Sequence, residues 1–120
     1  MPSVAVEFEI FESVTRGGVR RVTWHVASED DWLSVTQVPG ALLEHQDRTA
    51  GVIWRRQVLV QIPIGTRLMR VESMPDRAAP EDDPMAYLWQ TRRGVGRKVK
   101  RNYFRVGPGG KLVRDSASEK

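Results

Sequence analysis

Val4-Ala5-Val6-Glu7-Phe8-Glu9-Ile10-Phe11 is the stretch on which the fold turns. Val4, Val6, Phe8 and Ile10 alternate with Ala5, Glu7, Glu9 and Phe11, and a period of two sends successive side chains to opposite sides of an extended chain. The segment therefore reads as a half-buried strand with an acidic outer face. Arg16-Gly17-Gly18 then offers residues that tolerate positive φ, and Val22, Trp24 and Val26 resume the alternation, so the two runs make a hairpin.

Further along, residues 52–62 are dense in β-branched and aromatic side chains, as a strand requires. Pro63-Ile64-Gly65 interrupts that run, and residues 68–72 continue it as a partner strand, giving a second hairpin or a bent pair. Residues 97–106 form another strand, Gly107-Pro108-Gly109-Gly110 a turn, and residues 111–114 a short last strand. Two short helices are expected between strands. Ser28 followed by Glu29, Asp30 and Asp31 fits an N-cap with acidic residues in the first turn, packed through Trp32 and Leu33 and ended by Pro39-Gly40. Asp83-Pro84 opens the second, which carries Met85, Leu88 and Trp89 on one face, Arg92 and Arg93 in its last turn and Gly94 as its cap. Residues 41–45 fit a helical turn or a strand equally.

Together these elements predict one α+β domain over residues 1–115, a mostly antiparallel sheet or small open barrel of about six strands with two short helices. Residues 73–83, with Pro75, Pro80 and the run Glu81-Asp82-Asp83, read as a mobile acidic loop, and residues 116–120 as a frayed tail.

Composition removes several classes of chemistry. The 120 residues contain no cysteine, which excludes disulfides, thiolate zinc sites and a cysteine nucleophile. Apolar runs such as Val58-Leu59-Val60 fall far short of the roughly 20 residues that cross a bilayer as a helix. No basic region precedes an apolar stretch at the N-terminus, so a cytoplasmic location without membrane attachment is the expectation. His25 and His45 are too few for a three-histidine metal site, and no serine sits in a nucleophile turn. Glu29-Asp30-Asp31 and Glu81-Asp82-Asp83 lack calcium-loop spacing and are better explained by the helices they precede. Gly94-Val95-Gly96 follows a predicted helix where a phosphate-binding loop would open one. The reading is non-enzymatic, with no cofactor and no metal.

Charge supplies the pointer to function. Residues 1–84 carry 9 basic and 13 acidic side chains, whereas residues 85–120 carry 10 and 2, so a net charge of +4 conceals an acidic part and a strongly basic one. A block of one sign concentrates polyanions whatever the fold beneath it. Within the strand at 97–106, alternation puts Arg97, Val99, Arg101, Tyr103 and Arg105 on one face and Lys98, Lys100, Asn102, Phe104 and Val106 on the other. Phe104 and Val106 anchor a core, leaving Arg101, Tyr103 and Arg105 as an outward basic row with a ring in its middle. Cations release counterions from phosphates and an exposed ring stacks on a base.

The expected function is a small nucleic-acid-binding domain of weak sequence preference, favouring single-stranded DNA or RNA. Arg92, Arg93, Arg97, Lys98, Lys100, Arg101, Arg105, Lys111 and Arg114 would contact phosphates, and Tyr103 would stack. The competing structural account has Tyr103 packed sideways and the arginines paired across the sheet with Glu7 and Glu9. The competing function is an assembly or adaptor module, self-associating or binding an acidic protein through the basic segment, a sheet edge or a tryptophan patch. Among Trp24, Trp32, Trp54 and Trp89, Trp54 beside Arg55-Arg56 is the first candidate for an interface.

Overall fold

Alternating segments of this chain become eight strands in a computed structural model, which describes residues 2–15, 18–47, 52–75 and 97–115. They are β1 (Ser3–Thr15), β2 (Gly18–Ser28), β3 (Asp31–Ser34), β4 (Leu42–Asp47), β5 (Val52–Pro63), β6 (Arg67–Pro75), β7 (Arg97–Val106) and β8 (Leu112–Arg114). Every pairing is antiparallel, in the order β4-β5-β1-β2-β6-β7-β8, with β3 alongside β2.

The sheet curls because two of its long strands, β1 and β2, are each shared between different neighbours. β1 and β2 pair only from Phe11 and Val22 to the hairpin end. Beyond that point the N-terminal part of β1 stays with β5, while the C-terminal part of β2 joins β6 and β3. The strands splay, and the sheet folds back on itself as a half-barrel. Val6, Phe8, Ile10, Val58, Val60 and Ile62 then meet Val26, Val35, Leu68 and Val106 from the other half in one buried cluster. Burying side chains of this size stabilises by about 1.5–3 kcal/mol each before entropy is counted. Ring centroids of Phe8 and Trp24 lie 5.2 Å apart and those of Trp24 and Phe104 5.5 Å apart, which carries aromatic packing across the fold.

One end is closed by backbone contacts. Ile64 N donates to Pro2 O at 3.0 Å and Gly65 N to Val106 O at 2.7 Å. A 3₁₀ turn over Pro108–Gly110 rests on β1. Gly110 has φ 84°, and a Cβ there would stand 2.6 Å from the carbonyl oxygen of Ala5, so only glycine permits this approach.

The α+β expectation is corrected: among the described residues the fold is all sheet, with no α-helix and only two three-residue 3₁₀ turns. The helix expected after Ser28 is instead a tight reversal. Glu29 takes φ 51°, Ser28 faces Asp31 and β3 pairs back on β2. Trp32 and Leu33 consequently go to opposite faces of the sheet instead of sharing a helical one. The capping serine is Ser34, whose hydroxyl accepts from Thr36 N at the start of the 3₁₀ turn Val35–Gln37. Residues 41–45, ambiguous by pattern, fall almost wholly in β4 because β5 offers an edge to pair with. β5 and β6 are sequential but unpaired: the Pro63-Ile64-Gly65 turn carries the chain from one half of the sheet to the other. Ser73 to Pro75 extend β6, while the rest of the expected acidic loop, the helix at 84–93 and the tail lie outside the described residues.

Candidate nucleic-acid interface

Opposed residues of an antiparallel pair share a face, so the register sorts the basic side chains without ambiguity. On the inner face of the half built from β2, β6 and β7, Val26, Leu68 and Phe104 lie abreast and belong to the apolar floor. Two residues on, Trp24, Arg70 and Asn102 lie abreast. The next row holds Val22, Glu72 and Lys100, and the last Met74 and Lys98, with Arg20 beside them on β2. One continuous face thus passes from hydrophobic core to a cationic end as the two halves of the sheet diverge.

At that end Arg20 Nε donates to Glu72 Oε2 at 2.7 Å and Arg70 Nη1 to Glu72 Oε1 at 3.1 Å. The Arg20 guanidinium also lies 5.5 Å from the centre of the Phe11 ring. The hydrogen bond from Arg20, followed by that from Arg70, holds the Glu72 carboxyl down from 4.5 to about 2 against the opposing effect of burial. Glu72 in turn raises the Arg20 pKa. Lys98 and Lys100 are exposed on the same face and make no hydrogen bond or ion pair among the described residues. Two arginines therefore hold one carboxylate, on a face that also carries two exposed lysines.

The outer face of β7 is more heavily occupied. Arg97 Nη2 donates to Val19 O at 3.0 Å and to Ser73 Oγ at 3.1 Å, and burial with the nearby Arg21 charge lowers its pKa. Tyr103 is half-buried, its ring centroid 5.9 Å from that of Trp32, whose other neighbour is the Arg67 guanidinium at 5.6 Å. Arg105 pairs with the buried Asp115 at 3.0 Å and donates to Gly65 O at 3.3 Å. Arg101 is exposed, without a hydrogen bond or ion pair among the described residues. Lys111 is exposed beside the turn, and Arg114 lies 5.9 Å from the Phe104 ring centre, facing Phe104 across the β7–β8 pair. Arg92 and Arg93 lie outside the described residues.

Pairing of the basic row with Glu7 and Glu9 does not occur. β2 and β6 separate β1 from β7, and Glu9 faces Arg55 at 3.7 Å instead. Sequence reasoning missed Arg20 and Arg70, although each alternates in phase with inward residues of its strand: Val22, Trp24 and Val26 for one, Leu68 for the other. The signal was present, but the identity of the neighbouring strands was needed to use it.

Other polar chemistry is sparse. His25 is half-buried, its pKa lowered by desolvation, with Nε2 3.1 Å from Thr23 Oγ1. Among the described residues no group of three or more His, Asp or Glu side chains has metal-site geometry, and no helix is long and apolar enough to cross a membrane. Trp54 is half-buried against the core with Arg56 6.0 Å from its ring centre, and Trp89 lies outside the described residues. Comparison with protein-family models, curated proteins and solved structures found no match.

Proposed function

We propose that this β half-barrel is a non-enzymatic nucleic-acid-binding domain that takes single-stranded DNA or RNA with weak sequence preference. The observation that carries the reading is the gathering of Arg20, Arg70, Lys98 and Lys100 from three strands on one face, with Glu72 the only carboxylate in those rows. An open, curled face of this kind suits a flexible strand better than a duplex, because bases can turn toward the sheet while phosphates meet its cations. Arg101, Lys111 and Arg114, and Arg92 and Arg93 in the same basic segment, add to the attracting field. Arg97 and Arg105 each make two hydrogen bonds or ion pairs to other elements and Tyr103 packs on Trp32, so they contribute less than Arg20 and Arg70, which each give one nitrogen to Glu72.

The test is fluorescence anisotropy with a labelled mixed-sequence single strand and its duplex at about 50 and 200 mM salt. Four phosphate contacts predict roughly a fiftyfold loss of single-strand affinity over that interval. Absence of binding at the lower salt would end this reading.

A second reading, assembly through the β4 edge of the sheet, is favoured by one observation. Leu42, Leu43 and Leu59 are 66%, 49% and 40% exposed beside the outer edge of β4, which pairs with no further strand among the described residues. Edge pairing through such residues would give a mass that rises with concentration and resists salt.

A further inference from the structure

We propose that Arg20, Glu72 and Arg70 form a preset fork for a backbone phosphodiester, in which Glu72 acts as a positioning residue. The inference rests on the nucleic-acid reading above and assigns a distinct role to one acidic side chain within it.

Each oxygen of Glu72 is taken by a different arginine, through Arg20 Nε and Arg70 Nη1. That leaves both terminal nitrogens of Arg20, and Nε and Nη2 of Arg70, without another partner among the described residues. Phe11 supports the Arg20 guanidinium from a second direction. A guanidinium presents its donors in a rigid plane, so fixing one edge on a carboxylate aims the remaining N–H groups. Side-chain exposures of 33% for Arg20, 25% for Arg70 and 22% for Glu72 leave the group partly screened from water and still reachable. Lys100 stands opposite Glu72 on β7 and supplies a third, exposed cation at the same row. Two held arginines and one free lysine match a phosphate with two unesterified oxygens: the fork orients it and the ammonium follows it.

Simple electrostatics and positioning predict opposite signs for one substitution. If Glu72 merely subtracts charge, Glu72→Gln removes a negative group and tightens polyanion binding. If it sets the fork, the same change weakens binding despite the more positive surface. We expect about tenfold weaker binding of a single-stranded oligonucleotide with hydroxyl ends, and a salt slope smaller by about 1 to 2. Arg20→Lys combined with Arg70→Lys keeps the charge and loses the planar donors, and a similar weakening is expected while circular dichroism stays unchanged.

Tighter binding by the Glu72 variant, or undiminished binding by the double lysine variant, overturns the fork while salt-sensitive binding by the wild type keeps the broader function intact. A wild type that binds nothing overturns both. If the Glu72 variant does not fold, the lysine variant decides alone. Equal affinity for strands with and without a 5′-phosphate supports a phosphodiester ligand. Dependence on that terminal group, or displacement by inorganic phosphate at matched ionic strength, would assign the fork to a phosphate monoester and overturn the proposal.

Discussion

The two faces of β7 share one backbone and nearly the same charge, yet their side chains are in different circumstances. On the outer face Arg97 is tied to Val19 and Ser73, Tyr103 to Trp32, and Arg105 to Asp115. On the inner face Lys98 and Lys100 are exposed, and the neighbouring strand brings Arg70 and Glu72 beside them. Charge density along a strand is therefore a poor guide to what the charges do. Arg105 commits Nε to Asp115 and Nη1 to Gly65 O, and Arg97 Nη2 serves two acceptors, whereas Arg20 and Arg70 each commit one nitrogen to Glu72 and keep the others. Exchanging a partner for an external phosphate costs free energy.

The largest effect should come from the floor on which both faces depend. Leu68→Ala, at a fully buried site between Val26 and Phe104, is expected to cost about 2–5 kcal/mol in urea unfolding. It would loosen inner and outer faces together, and a loss confined to one face would mean that the two faces do not rest on this shared floor. Next in size is charge reversal. Lys98→Glu with Lys100→Glu should weaken single-strand binding about a hundredfold at low salt, whereas Arg101→Glu with Arg105→Glu should cost less than tenfold. The reverse order would return the binding surface to the outer row. Asp115→Ala sharpens the contrast from the other side, since it removes the buried partner of Arg105. A stability loss of about 1–3 kcal/mol is expected, with oligonucleotide affinity unchanged within a factor of about two.

Acid titration addresses the inner face. The Glu72 carboxyl is lowered from 4.5 to about 2, so the native state binds fewer protons than the unfolded one across that interval. Its stabilising contribution is complete above about pH 4.5 and disappears as pH falls toward 2. Glu72→Gln should flatten stability against pH in that window, measured by denaturant midpoints. The smallest effect belongs to His25 on the outer face. Burial lowers its pKa below 6.5, so the unfolded chain takes up its proton first and stability declines as pH falls below about 6.5. His25→Gln should remove that shallow dependence.

Much of the sheet was legible in the sequence. The first hairpin, the strand Arg97–Val106 and the short strand after the Gly-rich turn follow from alternation bounded by glycine and proline. The error at Ser28 has a local cause. Acidic residues after a serine satisfy a helix N-terminus, but the same residues tolerate a turn, and the open edge of β2 decided for β3. The placement of Arg97, Tyr103 and Arg105 on one face was also legible, whereas their engagement by Val19, Ser73, Trp32, Asp115 and Gly65 was not, because those partners are remote in sequence or belong to elements of unknown docking.

Local pattern alone was enough to make strands of the first hairpin, the run at 52–62, the run at 68–72 and the run at 97–106, to say which residues alternate together on each, and to show that the basic charge collects after residue 84, but not to make strands of β3 and β4. Those properties depend on local backbone geometry and composition alone. The tertiary structure decided that β6 pairs with β2 and β7 instead of with β5, and therefore that Arg20 and Arg70 close on Glu72 on the face that carries Lys98 and Lys100. Alternation specifies a face within a strand but carries no address for the strand beside it. That address comes from burial of Phe8, Leu68 and Val106 in a shared core, which forms only when the curled sheet has closed.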